Sequence, residues 1–132
     1  MPEKSVYDTR FFVEYFYSSD SDFLKRLKED LKAVRNRMVS ALTMHEIHRI
    51  NLEKEGMEVA TLRSETIRRD FNVADVDYET AVKSAELRSM HRMPMSDSVI
   101  AATAQIHACS VVSDDPHFQG LKKLRTRWFA TR

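Results

Sequence analysis

Asp97 opens the run Ser96-Asp97-Ser98-Val99-Ile100-Ala101-Ala102-Thr103-Ala104, and Val111-Val112-Ser113-Asp114-Asp115-Pro116-His117-Phe118 follows close behind. The first segment is an acid at the mouth of an otherwise apolar, small-residue helix. The second is a short β-branched strand that ends in acids. Adjacent elements thus bring carboxylates to one end of a sheet, which is how a chain builds a site for a hard divalent cation. Crowded carboxylates repel one another, and their pKa values rise unless a cation neutralises them. Oxygen-only donors select Mg²⁺ or Mn²⁺ over zinc, which prefers His and Cys. Such an ion lowers the pKa of a bound water and braces charge growing on a phosphoryl group. Two ions about 4 Å apart stabilise both the attacking and the leaving oxygen.

The elements that must position these acids are short. Two glycines and three prolines leave little of the chain for loops. Ser5-Val6-Tyr7 reads as a strand closed by Asp8, followed by a helix carrying Phe11, Phe12, Tyr15 and Phe16. Ser18 to Ser21 break that helix, and Ser21 is expected to cap the next one, to about Asn36. Met38 to Leu42 form a second strand, after which Thr43 and Glu46 make a Thr-x-x-Glu capping box for a helix through Glu55. Gly56 ends it. A helix over about 57–69, a strand from Phe71 to Val76, a helix over 78–91, a strand over 110–113 and a last strand near 124–129 complete the pattern. Strands alternating with helices predict a parallel sheet covered on both faces. Ligands of such sheets sit beyond the carboxyl ends of the strands, where strand order switches. Asp8, Asp114 and Asp115 lie just past strand ends, and Glu46 and Asp97 lie in first helical turns at that same edge. Acids far apart in sequence therefore converge.

These residues resemble the PIN-domain ribonucleases, and among them the VapC-type toxins. The likeness rests on Tyr7-Asp8-Thr9, Thr43-x-x-Glu46, the Asp97 to Ala104 helix and Val112 to Phe118, in that order over residues 1–132 as one domain. It implies a three-layer α/β/α sandwich with a short-stranded parallel central sheet. It implies a metal-binding acidic quartet on Asp8, Glu46, Asp97 and Asp115, with Glu46 holding metal or orienting the attacking water. Thr9 and Ser113 match the family's supporting hydroxyls. Asp114 stands where the family often has Asn, which makes it a further candidate ligand. The likeness implies a Mg²⁺- or Mn²⁺-dependent endoribonuclease and toxin, an RNA substrate, a cognate antitoxin and a homodimer. A PIN nuclease of RNA processing without an antitoxin, or a catalytically silent PIN adaptor, is the alternative.

Each acid also has a structural reading. Asp8 and Asp115 are placed to cap helices, with Pro116 at a first helical position. Asp97 gains ~0.3–1 kcal/mol from a helix dipole with no metal involved. Glu46 already serves the capping box. His45-Glu46-Ile47-His48 has the wrong spacing for the zinc protease motif, which needs histidines four apart. His117 falls near the acids without an assigned role, and Cys109 reads as core.

The net charge of +1 gives no global field toward nucleic acid or membrane. Any RNA contact must be local. Lys122, Lys123, Arg125, Arg127 and Arg132 lie in an acid-free tail, and Arg10 sits beside Asp8. Of these, Arg10, Lys122, Lys123 and Arg125 are the candidates for phosphate. One cysteine excludes an internal disulfide and suits a reducing compartment. Without a signal-like or membrane-length apolar stretch, a soluble cytoplasmic protein is expected. Six of the twelve aromatic residues lie between Phe11 and Phe23, a surplus that marks either a larger core or a partner surface.

Overall fold

The computed structural model describes residues 4–129, and Arg132 lies outside them. The chain runs β1 (Lys4–Tyr7), α1 (Thr9–Tyr17), α2 (Ser21–Ala33), β2 (Asn36–Ser40), α3 (Ala41–Glu55), α4 (Met57–Asp70) and β3 (Asn72–Ala74). It continues through α5 (Tyr78–His91), α6 (Met95–His107), β4 (Ser110–Val112), a 3₁₀ turn at Pro116–Phe118 and β5 (Thr126–Arg127). All four strand pairings are parallel, in the order β3-β2-β1-β4-β5. The expected α/β sandwich with a short-stranded parallel sheet is the fold observed.

Alternation along the strands divides the interior in two, because successive side chains point to opposite faces. Val6, Met38 and Val111 join Ile100, Ala101, Ala104 and Leu87 in the core under α5 and α6. Tyr7, Val39 and Val112 face Phe11, Phe12, Phe23, Leu27, Ile47 and Ile67 on the other side. Residues 97–104 of α6 are all buried. The alanines there let the helix backbone approach the sheet closely. Ser98 Oγ donates to Met95 O at 2.7 Å and shares a 2.9 Å hydrogen bond with Ser84 Oγ, which fixes α6 against α5.

Several expected boundaries moved, each for a local reason. Asp20, not Ser21, caps α2, accepting from the Phe23 N–H at 3.1 Å. That helix stops at Ala33, because Asn36 already pairs with Lys4 in the sheet. Ser40 ends β2 and caps α3 in one step, accepting from Leu42 N–H at 3.1 Å. The Thr43/Glu46 capping box therefore does not form. Thr43 lies inside the first turn with its buried hydroxyl unpartnered, and Glu46 is free for other work. The third, fourth and last strands are shorter than expected, the last only two residues long. Among the described residues no helix is long and apolar enough to cross a membrane.

The aromatic surplus is mostly core. Phe11, Phe12 and Phe23 are buried, and Tyr7, Phe71, Trp128 and Phe129 pack around them at ring-centroid distances of 4.6 to 6.2 Å. Tyr15 and Phe16 remain half-buried at its margin.

So short a strand as β5 needs an anchor, and Arg127 supplies it. Its guanidinium forms a forked ion pair with Asp30 of α2, and it donates to Ser5 Oγ at 2.9 Å. The pair is largely enclosed, whereas the Arg69–Asp70 pair is open to water. Arg127→Ala should lower unfolding free energy in urea by about 2–3 kcal/mol, because Asp30 loses its cationic partner in a partly desolvated place and is left with the Tyr7 hydroxyl at 3.4 Å. Arg69→Ala should cost under about 1 kcal/mol. Equal effects would show that β5 is not held by this pair.

Candidate metal centre

Strand order turns at β1. The chain passes from β1 to β2 on one side and returns later to place β4 on the other. The carboxyl ends of β1 and β4 therefore flank the crevice where parallel sheets bind ligands. Asp8 leaves β1 and Ser113 to Asp115 leave β4 at this point. α3 and α6 both begin at the same edge, with Glu46 in the second turn of α3 and Asp97 in the first turn of α6.

One thread of hydrogen bonds crosses the crevice. Asp8 caps α1, its Oδ1 accepting from the Thr9 N–H at 2.7 Å. Its other oxygen accepts from Ser113 Oγ at 2.6 Å. Ser113 Oγ in turn accepts from the Asp115 N–H at 3.0 Å, while Thr9 Oγ1 donates to Glu46 Oε1 at 2.6 Å. Thr9 thus links Glu46 through its hydroxyl to Asp8 through its N–H, and the Ser113 hydroxyl links Asp8 to the backbone of Asp115. Ser113 itself is held by its N–H to Arg127 O at 3.1 Å, so the edge strand steadies the site.

His117 makes the remaining connection. Its Nδ1 lies 2.7 Å from Asp97 Oδ2 and 2.8 Å from Asp115 Oδ1. The Asp115 carboxylate caps the 3₁₀ turn as expected, accepting from the His117 N–H at 2.9 Å, with Pro116 in the first turn. Asp97, Asp115 and His117 each offer a ligand atom, all within 4.8 Å of one another. The structure therefore gathers Asp8, Glu46, Asp97, Asp115, Thr9 and Ser113. It adds His117, which lacked a role in the sequence. The available signal was an imidazole two residues after Asp115 in a proline-fixed turn.

The other candidates lie apart. Asp114 is exposed and turns outward to a forked pair with Arg10, with Arg10 Nη2 at 3.0 Å. Lys122 O accepts from Gln105 Nε2 at 3.1 Å, in the last turn of α6. Eight residues separate Gln105 from Asp97, about 12 Å along a helix. Lys122 and Lys123 line a cavity with Lys83, Glu86 and His91 at that distant end. Arg125 O accepts from Val111 N–H, before the strands reach the crevice. His48 Nδ1 is engaged at 2.7 Å with Ser64 Oγ.

Crowding and burial set the electrostatics. Asp8 is 4% exposed and Asp97 7%. Burial pushes the Asp8 carboxyl up to about 6, against hydrogen bonds from Ser113 and Thr9 that pull it down, and the charges of Asp97 and Asp115 push it further. Asp97 is raised by burial and by Asp115, with His117 opposing. These carboxylates would be stabilised by a cation among them, and their oxygen-rich donor set fits a hard divalent ion.

The PIN-domain family profile matches residues 5–124, and the chain belongs to that family. No curated protein sequence matches it. Solved structures share the fold. A toxin–antitoxin complex from Klebsiella pneumoniae is 22% identical, with a TM-score of 0.73 over 91% of this chain and 94% of that one. VapBC2 from Rickettsia felis, bound to a DNA fragment from its promoter, is 14% identical, with a TM-score of 0.79 over 96% and 99%. VapC20 from Mycobacterium tuberculosis, a toxin that cleaves the sarcin–ricin loop, is 18% identical, with a TM-score of 0.72 over 92% and 98%.

A raised acid pKa has a definite sign in stability. Folded Asp8 holds its proton to about pH 6, whereas the unfolded side chain releases it near pH 4. Its contribution is therefore fully present at low pH and is lost as pH rises through 6. In a chelator, stability should increase by about 1–2 kcal/mol between pH 7.5 and pH 5. Asp8→Asn should flatten that part of the profile and be the more stable protein at pH 7.5. Parallel profiles for the two proteins would show that Asp8 is not strained by its charge.

Proposed function

We propose that this protein is a divalent-metal-dependent endoribonuclease that hydrolyses RNA phosphodiester bonds, the toxin of a type II toxin–antitoxin pair acting in the cytoplasm. The observation that carries this reading is the convergence of four acids at the strand switch of a PIN fold. Asp97 and Asp115 meet across His117, and Asp8 and Glu46 are tied in through Ser113 and Thr9.

Asp8, Asp97 and Asp115 would hold Mg²⁺ or Mn²⁺. When bound there, such an ion makes water nucleophilic near neutral pH and stabilises charge on the phosphoryl oxygens. Glu46, half-buried and oriented by Thr9, holds metal or positions the attacking water. Ser113 and Thr9 keep the Asp8 carboxylate from rotating, so its lone pairs stay directed at the crevice. Arg10 stands beside the acids, paired with Asp114 and within reach of the charge of Asp8. We assign it to a substrate phosphate that replaces Asp114 as its partner. Lys122, Lys123 and Arg125, at the far end of α6, are given no part at the scissile bond.

Purified protein should cleave RNA in Mn²⁺ or Mg²⁺ and lose that activity in EDTA. Asp97→Asn keeps the side-chain shape but removes a ligand charge, so cleavage should fall at least ~10²-fold with an unchanged circular dichroism spectrum. Added metal should raise the melting temperature of the wild type but not of the double variant Asp8→Asn/Asp97→Asn. Full activity of Asp97→Asn, or cleavage in EDTA, would remove the reading.

Structural neighbours that are toxin–antitoxin complexes support a co-encoded protein partner. From α1, the half-buried Tyr15 and Phe16, rather than the enclosed Phe12, are open to it. The exposed Val76, Tyr78 and Met95 support a homodimer. Co-expression of the adjacent small gene product should relieve growth inhibition and block cleavage, less effectively against Phe16→Ser. If that product binds without affecting cleavage, the toxin role fails and the nuclease role survives.

A further inference from the structure

We infer that His117 is a nitrogen ligand of the metal centre, so that the site is a mixed oxygen–nitrogen set that prefers Mn²⁺ to Mg²⁺. This rests on the proposed metal dependence and deepens it. His117 Nδ1 stands between two carboxylate oxygens, 2.7 Å from Asp97 Oδ2 and 2.8 Å from Asp115 Oδ1. A hydrogen on Nδ1 points well at only one of them, and without it three lone-pair atoms face one another. A single cation satisfies all three at once, and their mutual spread of 4.8 Å or less suits ligands gathered around one ion.

The ring is placed, not incidental. Its backbone N–H is bonded to the same Asp115 carboxylate at 2.9 Å. Phe118, 1% exposed, pins the turn into the core from the next position. The imidazole itself is about half exposed, so it can adjust by rotation without disturbing packing.

The donor type decides the selectivity. Mg²⁺ takes oxygen ligands and keeps much of its water, whereas imidazole nitrogen suits the later divalent ions, and Mn²⁺ accepts both kinds of donor. Loss of the ring should therefore weaken Mn²⁺ far more than Mg²⁺. Losing a group that merely orients a metal ligand costs 10–100-fold in affinity. For a direct ligand we expect a loss of Mn²⁺ affinity of at least ~10-fold in His117→Gln, with Mg²⁺ changed by under about 3-fold, since no Mg²⁺–nitrogen bond is lost.

The test loads the full chain with Mn²⁺ and reads the electron spin echo for nitrogen-14 modulation, with affinities for both ions from calorimetry. The wild type should show coordinated nitrogen, and His117→Gln should lose it together with its Mn²⁺ preference. Mn²⁺ bound in an Asp97-dependent way without nitrogen modulation would overturn the role of His117 while leaving the metal centre intact. Modulation that persists in His117→Gln would do the same. No Mn²⁺ binding by the wild type would overturn both this inference and the nuclease reading.

Discussion

Like charges held close together at one sheet edge are the constraint around which this molecule is arranged. Asp8, Asp97 and Asp115 arrive on three separate elements, and two of them are nearly enclosed. Left alone, such a group would neutralise itself by taking up protons or would push its supports apart. The supports are accordingly doubled. Asp8 is held by a backbone N–H and a hydroxyl, Asp97 by the first of eight successive buried positions in α6, and Asp115 by its own cap on a proline turn. Local helix-capping chemistry and the assembly of the site use the same carboxylates. In Asp8 one oxygen accepts from the Thr9 N–H and the other from Ser113, whereas in Asp115 the Oδ1 that accepts from the His117 N–H also faces its ring.

The frame that resists this repulsion is built from very little strand. β1 and β4 contribute three paired positions, and each sends side chains alternately into two separate apolar cores. Rigidity comes from the helices packed above and below, and from aromatic rings drawn from the start, middle and end of the chain. The tail matters here although it carries no acid. Arg127 couples α2 to β1 and presents its carbonyl to the Ser113 N–H, so a distant ion pair steadies a hydroxyl in the crevice.

Much of this was legible in the sequence because the signals were local. Helix 78–91, the stop at Gly56, the short strand from Ser5 to Tyr7 and the placement of Asp97 before a small-residue helix all depend on neighbours within a few positions. Competition between neighbouring caps was harder to judge. Ser40 outranked Thr43 because the chain leaves the sheet directly into the helix, with no loop between, and Asp20 outranked Ser21 by one position. Long-range compensation was not visible at all. Tyr7, Phe71, Trp128 and Phe129 absorb the aromatic surplus from positions scattered across the chain. His117 meets an acid twenty residues upstream, and Asp114 turns away because Arg10, from the other end of the chain, draws it outward. The basic tail looked like one patch in sequence, yet Arg127 points into the fold while Lys122 and Lys123 face the opposite end of α6.

The alternation in β1 and β4 fixes where this architecture can accept change in length. With three paired residues and a different core on each face, one inserted residue in either strand would exchange the two interiors and turn Asp8 or Ser113 away from the crevice. The α3–α4 junction is under no such restriction. Gly56 adopts φ +90°, with open space around the position a side chain would take, and it joins two helices outside the sheet. Related chains of different length should therefore differ at this corner and at the helix ends, while the spacing from Ser5 to Asp8 and from Ser110 to Asp115 stays constant.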